Sequence, residues 1–423
     1  MGDGKPCGRE LYDEEFCIFH SKKEDKDAKI FQQRLDEIFK DESIKTYDFT
    51  HFIFSGGIAF PQRFLKPVTF FNSTFKGGAK FCHAVFERRA DFGFCMFEGE
   101  TNFLQAIFLD EVCFWTTGFI GNVYFGGTHF LAKTDFRFAI FDGSAIFERS
   151  IFEDNSDFAF ATFYDHFLIS TKEADKKVFK GEVDFSTVRF VKPEKTEFQK
   201  VDLTRFRFLE TDLRKVRFTD VDWYREKGKG RTKVFDEVSP DPETKKFDYA
   251  LIAQLYRRLR ANYEENLRYS EAGDFYIGEM EMTRKAEKSI FKKLPLLFYK
   301  AISNYGESYY RPLGWIAAIL LIFPMLFMFA GIQPVSLDRD NQTADSINYR
   351  LDFCSIESFA PTWEKVGDYR TSGLYTLSIF FLVRDKKYTT MTSWGRFLFV
   401  VESILSPVTL AFFLLALRRR FKR

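Results

Sequence analysis

Residues 79–103 read AKFCHAVFERRADFGFCMFEGETNF, with phenylalanine at Phe81, Phe86, Phe92, Phe97 and Phe103, in alternating steps of five and six. The alternation runs without a miss through Phe70, Phe75, Phe81, Phe86, Phe92, Phe97, Phe103, Phe108, Phe114, Phe119, Phe125, Phe130, Phe136, Phe141, Phe147, Phe152, Phe158 and Phe163. Two residues before nearly every one stands a small or β-branched residue, as Ala79 before Phe81 and Thr101 before Phe103. An eleven-residue unit, small-x-Phe-x-x-small-x-Phe-x-x-x, is therefore stacked about eight times from Ala79 to His166. A unit this short cannot bury its own apolar side and must lean on its neighbours, which is the condition for a solenoid.

Helical faces return every 3.6 residues and strand faces every 2, so steps of five and six fit neither. The L-x-x-L-x-L core of leucine-rich repeats is also absent. The remaining solution is a β-helix of very short strands, each step forming one side of a coil. Phe and the small residue two before it then share a strand face and both point inward. Large rings alternating with Ala, Thr or Ser fill a narrow interior without a channel.

The rhythm breaks over Tyr164–Lys177, resumes at Phe179, Phe185 and Phe190, and breaks again at Val191–Lys195. From Phe198 it becomes a strict step of five through Leu203, Phe208, Leu213, Phe218 and Trp223, with Val201-Asp-Leu203, Thr211-Asp-Leu213 and Val221-Asp-Trp223 in the local text. This resembles the pentapeptide-repeat family, whose unit is Ala-Asp/Asn-Leu-x-x, and the Phe-centred eleven-residue version looks like a variant of it. The resemblance covers residues 49–223 and implies a right-handed quadrilateral β-helix. With 20–22 residues per coil and about 4.8 Å between coils, it would be a rod of about eight coils and roughly 40 Å.

The chain has 423 residues and a net charge of +2. Two or three domains are expected, and no nucleic-acid partner. Acid and base are interspersed over 49–223, against the acidic DNA-mimicking rods found among pentapeptide-repeat proteins. The six cysteines are scattered, and Met1-Gly-Asp-Gly-Lys-Pro opens no signal peptide. A reducing cytosolic setting is expected for most of the chain.

Leu313–Ile332 is free of charge, and Phe397–Leu417 carries only Glu402. Each is long enough to cross a hydrocarbon layer of about 30 Å as a helix. Trp315 and Trp394 sit near the segment ends, Lys292, Lys293, Lys300 and Arg311 precede the first, and Arg418–Arg423 follows the second. The positive-inside rule puts both termini in the cytoplasm and turns the loop 333–396 outward, in a two-span inner-membrane protein. Between the spans, Gly373–Val383 is apolar but too short to cross, and reads as a re-entrant or interfacial piece. This layout looks like the two-helix pore module of potassium channels. No Thr-Val-Gly-Tyr-Gly filter follows, however: the chain continues Arg384-Asp-Lys-Lys387, so potassium selectivity through ringed carbonyls is not supported.

Glu402, Ser406 and Thr409 share one face of the second span, and Pro407 kinks it. They would line a pore in an oligomer; alternatively Glu402, about 9 Å from Arg396 along the helix, pairs near the interface while the hydroxyls pack helices.

Residues 224–247 read as a charged linker and 248–300 as a helical hairpin, a structural joint or a coupling between rod and membrane. The hairpin and the C-terminal ESILSP…LLALRRRFKR resemble segments found with pentapeptide repeats and two-span modules in bacterial proteins. Residues 301–423 form the membrane domain. In 1–48, Cys7, Cys17 and His20 give Cys-x9-Cys-x2-His, three soft ligands where structural zinc takes four. Zinc is the one cofactor this pattern admits, and otherwise none is expected. Ala28–Lys40 follows as an amphipathic helix capping the rod.

His83, His129 and His166 occupy outward positions without a Ser/His/Asp set, P-loop or dinucleotide motif, so no enzyme is expected. Exposed aromatics are expected at Phe94, Trp115, Phe138 and Phe160, a surface stripe for a protein partner or self-association. The expected function is a membrane-anchored rod for protein interaction or signal sensing. Its rival is an oligomeric gated pore, a stress or antiviral effector by analogy, lined by the second span.

Overall fold

The computed structural model describes residues 9–421 except 24, 57, 172–177, 227–229, 243, 335–346, 348–362 and 384–387. Two compact units are present, Met1–Ala286 and Glu287–Arg423.

The first unit is a four-sided parallel β-solenoid of about eight turns. Most strands are two residues long and stack into parallel sheets of eight, seven, seven and five strands. The chain visits the sides in fixed order, for example Val68–Thr69, Thr74–Phe75, Ala79–Lys80 and Val85–Phe86. Each strand pairs with the one a full coil later: Ala79 with Thr101, Thr101 with Val123, Val123 with Ala145. One coil is thus two eleven-residue units. Every ladder phenylalanine from Phe70 to Phe163 is buried, as are the small residues two before them.

Equivalent rings stack face to face up the rod, Phe92 on Phe114 at 5.0 Å and Phe114 on Phe136 at 4.7 Å. Around a coil they meet edge to face, as Phe103 and Phe114 do at 5.6 Å and 83°. Both arrangements suit the ring quadrupole. Hydroxyls in the small slots are satisfied by the coil before: Thr117 Oγ1 donates to the Phe92 carbonyl at 2.7 Å, and Ser150 Oγ to that of Phe125 at 2.8 Å. Bonded this way, a buried hydroxyl avoids the cost of desolvation. Where the rhythm falters, the slots exchange sizes: Phe167 stands on Ala145 and Ile169 on Phe147.

Two corner devices close the coils. At one corner an Asp or Asn side chain accepts from the amide two residues on, as Asp91 does from Gly93 and Asp135 from Arg137, both at 2.9 Å. This local bond explains the Asp of the pentapeptide text. At another corner Gly77, Gly99, Gly121 and Gly143 lie in one column. A Cβ on Gly121 would come within 2.6 Å of Gly99 backbone, and one on Gly143 within 2.6 Å of Gly121. The coils touch there backbone to backbone.

Both ends are covered. At the N-terminal end α1 (Ala28–Lys40), capped by the Asp27 side chain, buries Phe31 and Leu35. Lys26 Nζ donates to the Ile53 carbonyl at 2.8 Å and Ile53 N–H to that of Phe19. At the other end stand α2 (Phe235–Val238), α3 (Tyr249–Glu265) and α4 (Tyr269–Ala286). Asn262 Nδ2 donates to the carbonyls of Leu213 and Val216, both at 2.7 Å, Arg258 to that of Thr211 and Arg268 to that of Phe218. The α3–α4 hairpin therefore belongs to the solenoid as its lid. α2 buries Asp236, whose carboxylate accepts from Phe208 N–H at 3.1 Å. Burial pushes the pKa of Asp236 up to about 7.

The second unit contains α5 (Ile290–Ser303), α6 (Tyr310–Ala330), α7 (Trp363–Phe380) and α8 (Ser393–Phe421). α5 groups with these helices rather than with the hairpin, so the division falls after Ala286 and not near residue 300. α6 and α8 are long and apolar enough to cross a membrane. Short antiparallel strands, Ile332–Pro334 and Tyr388–Thr390, tie the end of α6 to the start of α8. The segment expected to be re-entrant or interfacial lies in α7, which packs against both α6 and α8. Much of the loop expected to face outward, 335–346, 348–362 and 384–387, lies outside the described residues. α5 exposes Ile290, Phe291, Leu294, Leu297 and Phe298, an apolar face beside Lys292 and Lys293.

Phe114→Ala should remove about 3–5 kcal/mol from the solenoid, read as a lowered thermal midpoint. Gly121→Ala should lower it as well, because backbone must move to admit the methyl; an unchanged midpoint would refute the contact column. Asp236 has a folded pKa above its unfolded value of 3.8. Its contribution is full below that value and is lost as pH rises towards about 7. The melting advantage of wild type over Asp236→Asn should therefore shrink between pH 4 and about 7; a constant difference would contradict this.

Candidate functional site

At the corner closed by the Asp91, Asp135 and Asp157 side chains, a second aromatic row stands outside the rod. Phe71, Phe94, Trp115, Phe138 and Phe160 are 36–50% exposed and touch in sequence. Ring centroids are 5.3 Å apart from Phe71 to Phe94, 4.8 Å from Phe94 to Trp115, 6.5 Å from Trp115 to Phe138 and 4.9 Å from Phe138 to Phe160. All four residues read from the sequence are in the row. Phe71 was missed, although it follows Phe70 as Trp115 follows Phe114.

The backbone beneath this row is the solenoid's recurring corner turn. Each corner is a β-turn closed onto the carbonyl of a core phenylalanine, by Cys95 N–H to Phe92, Ala139 N–H to Phe136 and Ala161 N–H to Phe158. The third turn residue has positive φ: Phe94 +57°, Phe138 +58° and Phe160 +61°. Glycine or asparagine is the ordinary occupant of such a position, and Asn72 is found in the equivalent turn at +55°. A bulky aromatic there is a genuine outlier. The same positive φ recurs at His83, Gln105, Thr116 and Arg149, so it belongs to the corner turn; what marks this row is the large apolar ring placed on it.

The diagonally opposite corner carries an open groove of about 470 Å³, lined by residues that include Cys82, His83, Gln105 and Arg149. Gly126 and Gly127 form its floor, with Gly127 at φ +65°. His129 Nε2 lies 3.1 Å from Glu153 Oε1, and Lys180 joins the same carboxylate at 2.8 Å, a surface ion network. Near the N-terminus Cys17 Sγ and His20 Nδ1 are 3.1 Å apart. Cys7, the third soft ligand of the sequence pattern, lies outside the described residues, among which no group of three or more His, Cys, Asp or Glu could hold a metal.

In the second unit Glu402, Ser406 and Thr409 are all buried within the chain. Thr409 Oγ1 donates to the Ser406 carbonyl at 3.0 Å. Among the described residues neither Glu402 carboxylate oxygen has a hydrogen-bond partner, nor has Ser406 Oγ. The pairing with Arg396 is not made. α7 adds Ser372 and Thr376, both wholly buried and likewise without a partner among the described residues. They stand at i and i+4, the spacing that marked the α8 face; Thr376 lay inside the apolar piece Gly373–Val383 and Ser372 just before it, and the sequence reading singled out neither.

No family model matches this chain, and no solved structure matches it. An uncharacterized protein of Methanocaldococcus jannaschii, MJ1147, is 29% identical over 172 residues, covering 37% of this chain. The chain spans 37% of that relative's length.

Proposed function

We propose that this chain is a membrane-anchored, pentapeptide-like repeat protein whose solenoid serves as a cytosolic recognition rod. The carrying observation is the outer aromatic row, where Phe94, Phe138 and Phe160 occupy turn positions that a smaller residue would fill with less strain. α6 and α8 supply the anchor, and the basic last turn of α8, Arg418, Arg419 and Arg420, favours cytoplasmic termini. The apolar face of α5 beside lysines suits a helix lying in the headgroup layer. The row is five contacting rings long, an apolar edge for a protein partner or a second copy.

A second reading, a conduit formed by several copies, is favoured by one observation. Tyr369 of α7 donates to the carbonyl of Leu321, midway along α6, at 2.8 Å. Its neighbour Arg370 is exposed in the single chain. An exposed guanidinium level with the middle of a span is costly against lipid and suits water or another subunit.

The test is the full-length protein in nanodiscs, wild type against Phe94→Asn/Phe138→Asn/Phe160→Asn. Asparagine tolerates the left-handed turn, so the triple variant should melt at or above the wild-type temperature while losing self-association or captured partner. A clearly lower midpoint would mean the row is structural, and unchanged association would overturn the recognition role. Native mass separates the readings: monomer or dimer leaves the rod alone, whereas a closed tetramer or larger ring puts the conduit first.

A further inference from the structure

The buried polar set of the second unit has a geometry that the recognition reading does not use. Thr392 Oγ1 donates to the Ala330 carbonyl at 2.7 Å, fixing the end of α6 beside the start of α8. α8 then returns along α6. α7 runs in the same direction as α6, because Tyr369 meets Leu321 and the Tyr375 ring meets Phe327 at 5.0 Å. At 1.5 Å per residue, Glu402 and Leu321 each lie about 13 Å in from that joined end, and Ser372 sits within about one turn of the same level. α7 packs against α8 here, with Tyr375 in the same buried cluster as Leu398 and Val401 of α8, the latter next to Glu402.

Two prolines add oxygens at this depth. Pro324 lies inside α6 and Pro407 inside α8. Each lacks an N–H, so the carbonyl four residues earlier loses its helical donor, at Leu320 and Ser403. The Glu402 carboxylate, the Ser372 hydroxyl and the two donor-deprived carbonyls therefore lie within about one turn of a common level in a three-helix packing, with Ser406 and Thr376 one to two turns away on either side. A bare carboxylate there is strongly disfavoured unless a cation accompanies it.

We infer that Glu402, with Ser372 and the carbonyls of Leu320 and Ser403, forms a binding site for a small monovalent cation, sodium, midway along the helices. Oxygen-only ligands suit a hard cation. The single carboxylate matches one positive charge; a divalent ion would leave excess charge in a low dielectric. No competing charge stands on α6 between Pro312 and Ala330. The charged and titratable groups around the set are Tyr375, Asp368 and Arg370 on α7 and Arg396 on α8. The site is independent of the aromatic row and exists whether or not copies assemble.

The experiment uses full-length protein in nanodiscs and dicyclohexylcarbodiimide, which adds to a protonated buried carboxyl, with modification of Glu402 followed by peptide mass spectrometry. In choline chloride Glu402 should be labelled; in sodium chloride of equal ionic strength labelling should slow at least tenfold. Ser372→Ala should keep the choline rate but need several-fold more sodium for protection. Sodium should also raise the melting temperature of wild type and not of Glu402→Gln. If Glu402→Gln fails to fold, Ser372→Ala carries the same comparison. Equal labelling in both salts would show a carboxyl that binds only a proton, and no labelling in either would show a sealed structural residue; each overturns the inference.

Discussion

Everything in the first unit depends on one constraint: a coil of about twenty-two residues has no core of its own. Its phenylalanines face a hollow that only the coils before and after can fill, so burial and hydrogen bonding are both satisfied between coils. The amides of one coil donate to the carbonyls of the next, and each Phe stacks on its equivalent at about van der Waals contact. Side chain and backbone thus share one spacing. A residue that alters the ring stack also strains the amide ladder, which is why eighteen ladder positions hold a single residue type.

That coupling explains what could be read from the text alone. Phe at five-and-six steps, with a small residue two before, is a direct record of which side chains point inward, so sides, coil length and coil number were all legible. The two long apolar helices were legible for a similar reason: an uninterrupted run leaves few alternatives. The glycine column was not, because Gly99, Gly121 and Gly143 stand in positions that the core pattern leaves free. Their role appears only when the coil closes and brings them against one another. The hairpin's role as a lid was not legible for the same reason. Asn262, Arg258 and Arg268 look like ordinary helical polar residues until the carbonyls at the end of the last coil are set opposite them.

Candidate sites divided along the same line. Phe94, Phe138 and Phe160 could be picked out because the repeat showed them to be outside, but their positive φ is a property of the turn and not of the composition. Glu402 announced itself as a charge in an apolar run. Its neighbours Ser372 and Thr376 did not, since serine and threonine are unremarked in helices, and only the packing of α7 against α8 gives them meaning. The two units therefore raise separate questions, one of shape along a rod and one of polarity within a bundle of helices.

The closures at the two ends of the solenoid have a consequence for polymerisation. A β-helix ends in a row of open backbone groups, and such a row is a template for any strand of the same pitch, including the opposite end of another molecule. Here Lys26 and Phe19 occupy the first coil's edge, and Asn262, Arg258 and Arg268 occupy the last. The array can lengthen or shorten during evolution only by gaining or losing whole coils between these plugs. A chain nicked inside the array would expose two complementary edges at once, and would be primed to grow into filaments.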